Sequence, residues 1–288
     1  MFEKWSSVIW ICLLLCLLTG CRERMELDEG NAVYYWRTDL RLDSTERTFL
    51  KAYHINKVYC RYFDVVMDES GEPMPNATIV FNDTLPAGIE IIPTVYITID
   101  CLQKPHKGLA EKLVKRIHQM NETNDISNVR EIQIDHDYTA RNMKVYYDFL
   151  EDVKKAWGGT LSTTIRLHQL SMEAPPVDYG ALMIYNTGDP QKFTERNPIL
   201  DQRDVAPYLR YLDDYPLPLA AAYPMFSWLR IISGVEITHT VEASEILQVK
   251  RMVEQERKDL SRSVITYHLD KENINRYKPE TYEEIYHH

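Results

Sequence analysis

The chain predicts an α/β fold of the (β/α)8, TIM-barrel-like class, and three observations carry that prediction. Strand and helix patterns alternate almost throughout its 288 residues, with no hairpin signal between neighbouring strands. That rhythm implies parallel strands joined by crossover helices. The number of units favours a closed ring over a doubly wound open sheet, and no Gly-rich phosphate turn follows the first strand. The stretch from Glu131 to Thr139 alternates with the period of a strand and feeds directly into a helical pattern. In that helix Val145, Tyr146, Phe149, Leu150, Val153 and Trp157 recur at three- and four-residue spacing.

Residues 1–20 read as a lipoprotein signal peptide. Lys4 lies in a short polar start, Val8 to Leu18 is an apolar run, and Leu18-Thr19-Gly20-Cys21 closes it. The run is too brief to span a bilayer as a permanent helix. Small residues before a cysteine resemble the lipobox of bacterial lipoproteins. The resemblance implies cleavage before Cys21, acylation of its sulfur and its new amine, and firm membrane attachment through more than one chain. Arg22, rather than Asp, follows, which by the same resemblance favours the outer membrane of the cell envelope. Residues 21–31 form a polar, acidic tether, and residues 32–288 form one barrel domain.

Within that domain, Val33 to Arg37 reads as the first strand. Asp43 followed by Glu46 resembles a capping box, with Phe49, Leu50 and Tyr53 on the buried side of the helix it opens. Lys57 to Val65 is the second strand and Asp68 to Asn76 a turn-rich loop. Ile89 to Ile99 is the third strand, and Leu109, Leu113, Val114, Ile117 and Met120 mark the next helix. The Glu131 strand is fourth, and its helix stops at Gly158-Gly159. Leu161 to His168, Ala181 to Asn186, Leu219 to Trp228 and Ser263 to His268 complete the eight strands. Val205, Tyr208, Leu209 and Leu212 mark a short helix before the seventh, and Ile246, Val249 and Val253 another after it. Polar sequence after His268 leaves the last unit weak, so the barrel is expected to be irregular or incompletely closed there.

A net charge of -10 argues against nucleic acid, which rewards basic patches. Of five cysteines, two leave with the signal and Cys21 carries lipid. Cys60 and Cys101 could pair in an oxidising envelope, although Cys60 sits inside an apolar strand pattern and reads more simply as a buried thiol. No cysteine spacing suggests a zinc site and no motif suggests a cofactor.

In a barrel the C-terminal ends of the strands converge on one mouth, and chemistry sits there. Gln133, Asp135 and Asp137 share one face of the fourth strand. Two carboxylates there repel each other and are costly to desolvate, so Asp135 and Asp137 are the candidate catalytic pair. A non-chemical role, with Asp137 capping the next helix and Asp135 anchoring a loop, fits the same residues. The candidate ligand-binding residues at the other strand ends are Tyr35, Arg37, Arg61, Tyr96, Arg166, His168, Tyr185, Asn186, Tyr223 and Trp228, with Phe226 beside them. Carboxylates and guanidinium groups bind hydroxyls, and aromatic faces pack on sugar C–H surfaces, so the assortment suits a glycan or another polyhydroxylated ligand. Arg61 and Arg166 could equally neutralise the two aspartates in a buried ion-pair layer. Arg61 and Asp64 differ in parity, as do Tyr185 and Asn186, so one of each pair points away unless a bulge intervenes. His136 has helix-facing parity and is expected to be structural.

The segments VYYWRTDLRL, KVYCRYFDV, EIQIDHDYT, LSTTIRLHQL, ALMIYNTGD and PLPLAAAYPMFSW resemble a group of Bacteroidota-type envelope lipoproteins. More distantly, the chain is similar to glycoside hydrolase barrels of the chitinase-like family. That family ends its fourth strand with Asp-x-Asp-x-Glu, the glutamate being the proton donor. Asp135 and Asp137 match the two aspartates, but Thr139 stands in the place of the glutamate and cannot protonate a leaving group. A glycosidase would then need Asp137 as acid and Asp135 as nucleophile or base, with Asp64 or Asp100 as other partners. The alternative is a non-catalytic glycan-binding or structural lipoprotein. A metal-dependent hydrolase built on Asp135, Asp137 and His168 has no supporting ligand spacing.

Overall fold

The computed structural model describes residue 27 and residues 29–189, 196–232 and 235–287. The expected signal peptide and Cys21 lie outside the described residues. Eight parallel strands follow one another around a ring: β1 (Gly30–Tyr35), β2 (Ile55–Met67), β3 (Glu90–Ile97), β4 (Glu131–Asp135), β5 (Thr160–Arg166), β6 (Tyr179–Met183), β7 (Leu219–Pro224) and β8 (Ser263–Tyr267). β8 pairs with β1 from Gly30↔Ser263 to Val33↔Thr266, and β1 pairs with β2, so the ring is closed. The last unit, expected to be weak, completes the barrel.

Helices cover the outside: α1 (Ser44–Ala52), α2 (Leu109–Thr123), α3 (Met143–Trp157), α4 (Gln202–Leu209), α5 (Ala243–Glu256), α6 (Lys271–Ile274) and α7 (Pro279–Ile285). The capping box at α1 is present, with Glu46 N donating to Asp43 Oδ1 and Asp43 N donating to Glu46 Oε2, each at 2.9 Å. Two orphan donors at the helix start are thereby satisfied. α3 buries Tyr146, Phe149, Leu150 and Val153 on the ring and stops at Gly158, whose φ of 73° only glycine adopts cheaply.

The irregularities lie elsewhere than expected. Between β5 and β6 the chain makes only a 3-10 turn, Leu167–Ser171, where a barrel would carry a helix. The loop expected over Asp68 to Asn76 contains a short strand, Pro73–Asn76, antiparallel to the end of β2. The seventh strand stops at Pro224, and Ser227–Ile232 pairs with Val235–Thr240 in an antiparallel hairpin. Cys60 and Cys101 are both buried free thiols.

The barrel interior is a ladder of polar side chains rather than an apolar plug. On β4, Glu131, Gln133 and Asp135 all point inward, because every second residue of a strand shares a face. Glu131 accepts from Ser162 Oγ at 2.7 Å and pairs with Lys57 at 3.3 Å. Gln133 donates to the same Ser162 oxygen and accepts from Tyr34 Oη at 2.8 Å, across the ring. Asp135 is the topmost rung. Each rung has a partner, as burial demands of polar groups. Outside the ring, Arg257 is 1% exposed and donates to the carbonyls of Tyr215 and Leu217 at 3.1 and 2.9 Å, holding the loop that enters β7.

Candidate functional site

The C-terminal mouth is built around Asp135 and Arg166, the last inward residues of β4 and β5. Asp135 is 4% exposed. Its Oδ1 accepts from Thr164 Oγ1 at 2.6 Å and from Arg166 Nη2 at 3.3 Å. Burial alone would depress the Arg166 guanidinium, but Asp135 first, then Tyr185 and Asp137, hold it above its ordinary value. Asp137 does not continue the pleat. The strand ends at Asp135, and the Asp137 side chain is 47% exposed, with Oδ1 3.8 Å from Arg166 Nε. One guanidinium therefore stands against both carboxylates.

A second ion pair lies beside the first. β2 carries a bulge between Arg61 and Phe63, which absorbs one residue, so Arg61 and Asp64 both face inward despite opposite parity. Arg61 grips both Asp64 oxygens, through Nε to Oδ1 at 2.7 Å and through Nη2 to Oδ2. Its guanidinium lies 5.5 Å over the Trp36 ring. Tyr96, register partner of Asp135 and Asp64, is half-buried, and its phenol is pushed up by burial and by the Asp135 charge.

Aromatic rings line the remainder. Tyr267, at the end of β8, stacks on Tyr185 at 5.0 Å and 27° and touches Tyr34 and Trp36 at 5.6 and 5.8 Å. Phe226 meets Tyr267 edge-on at 5.4 Å, and Trp228 lies 6.0 Å from Phe226. Among the described residues the Tyr185 hydroxyl is buried without a hydrogen-bond partner, and its phenol is pushed well up by burial. The Tyr267 phenol is also raised, by burial and then by Asp135.

Several sequence-derived candidates lie away from this mouth. Tyr34 reaches Gln133 inside the ring, so its neighbour Tyr35 faces the helices, where its hydroxyl donates to the Asp39 carbonyl at 2.6 Å. Arg37 packs over Tyr35 and pairs with Glu46 of α1 at 2.7 Å. The inward residues of β1 and its extension are Tyr34 and Trp36, a shift of one residue in parity. Tyr223 is fully buried on the helix-facing side. Its phenol is driven up by burial and by Glu254 of α5. Asn186 is exposed at a left-handed φ of 55°, while Tyr185 turns inward. His168 sits on the 3-10 turn beyond β5 rather than on the strand. Among the described residues no group of three or more His, Cys, Asp or Glu side chains could hold a metal ion.

Arg61, Tyr96, Arg166 and Tyr185 are brought together around Asp135, and Trp228 joins the row further out through Phe226. Sequence reasoning missed Tyr34, Trp36, Thr164 and Tyr267. Only Thr164 had a visible signal, lying two residues before Arg166 on an alternating strand. Thr139 is exposed, and its backbone N–H donates to Asn142 Oδ1 at 2.8 Å in the loop before α3. His136 is buried behind the mouth. It bonds the Ile97 carbonyl through Nδ1 and the Asn142 amide through Nε2, both at 2.9 Å.

No family model matches the chain, and no curated protein matches it. Solved structures do. A chitinase from Bacteroides thetaiotaomicron superposes with a TM-score of 0.61 at 12% identity, over 90% of this chain and 97% of that one. The Bacillus cereus spore cortex-lytic enzyme SleL gives 0.56 at 15% identity, over 91% and 74%. A xylanase-A-amylase inhibitor protein, XAIP-III, gives 0.52 at 11% identity, over 90% and 98%. The chain shares the fold of glycoside hydrolase-type barrels.

Proposed function

We propose that the chain is an envelope lipoprotein, anchored through Cys21, whose barrel mouth binds a glycan without hydrolysing it. The observation that carries this reading is the placement of Arg166 against both Asp135 and Asp137. Glycoside hydrolysis needs two carboxyls flanking the bond, one of them a protonated acid. Asp135 is buried, hydrogen-bonded and ion-paired, Asp64 is gripped by Arg61, and Thr139 occupies the place of the chitinase-like proton donor. The same groups, with the rings of Tyr185, Phe226, Trp228 and Tyr267, suit recognition. Charged hydrogen-bonding groups meet hydroxyls while aromatic faces take the apolar side of a sugar.

Neighbours described as chitinase and cortex-lytic enzyme support a glycan as the ligand class, and a neighbour described as an inhibitor protein is consistent with such a barrel serving without turnover. The lipid anchor rests on the apolar run Val8 to Leu18 and the Leu18-Thr19-Gly20-Cys21 boundary, and outer-membrane placement on Arg22.

The test is a glycan panel read two ways, by binding and by release of reducing ends. Binding without release is expected. Release that disappears in Asp137→Asn would make the protein a glycosidase instead. The anchor is tested by metabolic labelling with an alkyne fatty acid, expected in the wild type and lost in Cys21→Ala.

A further inference from the structure

Beside the mouth, between the β1–α1 segment and β2, lies an open cleft of ≈ 770 Å³. Trp36 and Arg61 belong to both spaces, since Trp36 touches Tyr267 of the mouth and Arg61 lies over Trp36. Arg37, Arg41 and Lys271 supply three further cations to the lining.

The carboxylates in that lining are already used. Glu46 is 1% exposed, with Oε1 taken by Arg37 and Oε2 by the backbone N–H of Asp43. Asp43 Oδ1 accepts from Glu46 N, closing the capping box. Asp39 Oδ1 accepts from Asn82 Nδ2 at 2.8 Å, and its Oδ2 lies 3.6 Å from Arg41.

The donors are not all used. Among the described residues Arg37 Nε is buried without a hydrogen-bond partner, while its Nη2 serves Glu46 and its Nη1 lies 3.8 Å from Asp270 Oδ2. Lys271 is exposed, and no ion pair holds it among the described residues. Arg61 commits Nε and Nη2 to Asp64 and keeps Nη1, in a position fixed by Asp64 and Trp36. Four cations and three carboxylates line the cleft, and the carboxylates are engaged while cationic donors remain spare, within a chain whose net charge is -10. A buried donor without a partner is costly, and an anionic oxygen would satisfy it.

We propose that this cleft takes an anionic substituent of the glycan, so that the ligand is an acidic sugar chain bearing a carboxylate or a sulfate ester. The inference rests on the glycan-binding reading and names its substrate class. The sugar rings lie across the aromatic mouth, and one anionic group per binding event seats between Lys271, Arg37 and Arg61.

Calorimetry with the full chain in detergent tests it, using oligogalacturonate, a chondroitin sulfate oligosaccharide and a neutral xylo-oligosaccharide of matched length. At least one acidic probe should bind about tenfold or more tighter than the neutral one, and its affinity should fall as salt rises. Which acidic probe binds separates a uronate from a sulfate. Lys271→Ala, at an exposed position that cannot disturb the fold, should erase most of that preference and leave neutral binding unchanged. Arg37→Gln should do the same, provided its melting temperature matches the wild type. Equal affinity for acidic and neutral probes, or a preference indifferent to Lys271→Ala, overturns the acidic ligand and leaves glycan binding standing. Binding of none of the three, followed by none in the wider glycan panel, overturns both.

Discussion

Arg166 Nη2 lies 3.3 Å from Asp135 Oδ1, joining the last inward residues of two adjacent strands at the top of a polar ladder that begins at Lys57 and Glu131. The contact is short of ideal, but the Asp135 side chain is only 6% exposed, so little water replaces the partner if it goes. Arg166→Ala should therefore lower stability by roughly 3 kcal/mol, the cost of stranding a buried charge. Asp137→Asn should change it by less than about 0.5 kcal/mol, because that side chain is half exposed and 3.8 Å from its cation. Urea unfolding of the two variants checks the contrast. Equal losses would mean that Asp137 is bound into the ladder as firmly as Asp135.

Ligand affinity should depend on the rings rather than on the acids alone. Trp228 is partly exposed at the open end of the aromatic row, 6.0 Å from Phe226, and packs against the margin of the core. Trp228→Ala should weaken glycan binding about tenfold, roughly 1.4 kcal/mol, while the variant stays folded with a modestly lowered melting temperature. Tyr223→Phe should leave binding untouched, since that hydroxyl faces α5. Intrinsic fluorescence quenching by the glycan reads both.

The parity of these strands explains what was legible in the sequence. On β4, isoleucines alternate with Glu131, Gln133 and Asp135, so the inward face is written in the residue types and the carboxylate was found. On β1 the run Val33-Tyr34-Tyr35-Trp36-Arg37 puts large or aromatic residues on both faces, and nothing local distinguishes Tyr34 from Tyr35. What selects Tyr34 is its bond to Gln133, 99 positions away. The bulge that turns Arg61 and Asp64 the same way carries no glycine or other local mark. Its effect appears only in the pairing of β2 with β3. The hairpin after β7 does carry a local mark, Ser233-Gly234 between two strand-forming runs in the sequence. Strand count and order followed from helix and strand periods, which are local; facing and closure depend on partners distant in the chain.

Arg257 should be as important to folding as any apolar core residue. It is buried, pairs with Asp259 at 3.0 Å and satisfies carbonyls of the segment between Leu212 and Leu217 that otherwise have no strand or helix to bond. Arg257→Met keeps the volume and removes every donor. A loss of about 3 kcal/mol is expected, from several buried acceptors left without partners and an unpaired Asp259. Urea unfolding measures it. Arg257→Lys should recover only part, because one ammonium cannot span carbonyls that a planar fork reaches together.

Acid should loosen the loop under the mouth through His136. Burial depresses its imidazole below the ordinary histidine value, against smaller opposing contributions from the Ile97 carbonyl, Asp135 and Asp137. The hydrogen bonds agree with a neutral ring. Asn142 Oδ1 accepts from Thr139 N, which turns the Asn142 amide group toward His136 Nε2, and that nitrogen must then accept while Nδ1 donates to Ile97. A proton on Nε2 would meet the amide hydrogens head-on. A histidine depressed in the folded state binds its proton more readily when unfolded, so its contribution is fully present above the unfolded value of about 6.5 and is lost as pH falls from there toward the folded one. Buried His268, depressed by the same cause, adds to the effect with the same sign. Urea midpoints should therefore fall between pH 7.5 and pH 5. His136→Gln, whose amide can offer a donor and an acceptor without titrating, should flatten part of that slope. A slope unchanged in His136→Gln would assign the acid sensitivity to His268, and would remove His136 as the pin between β4 and α3.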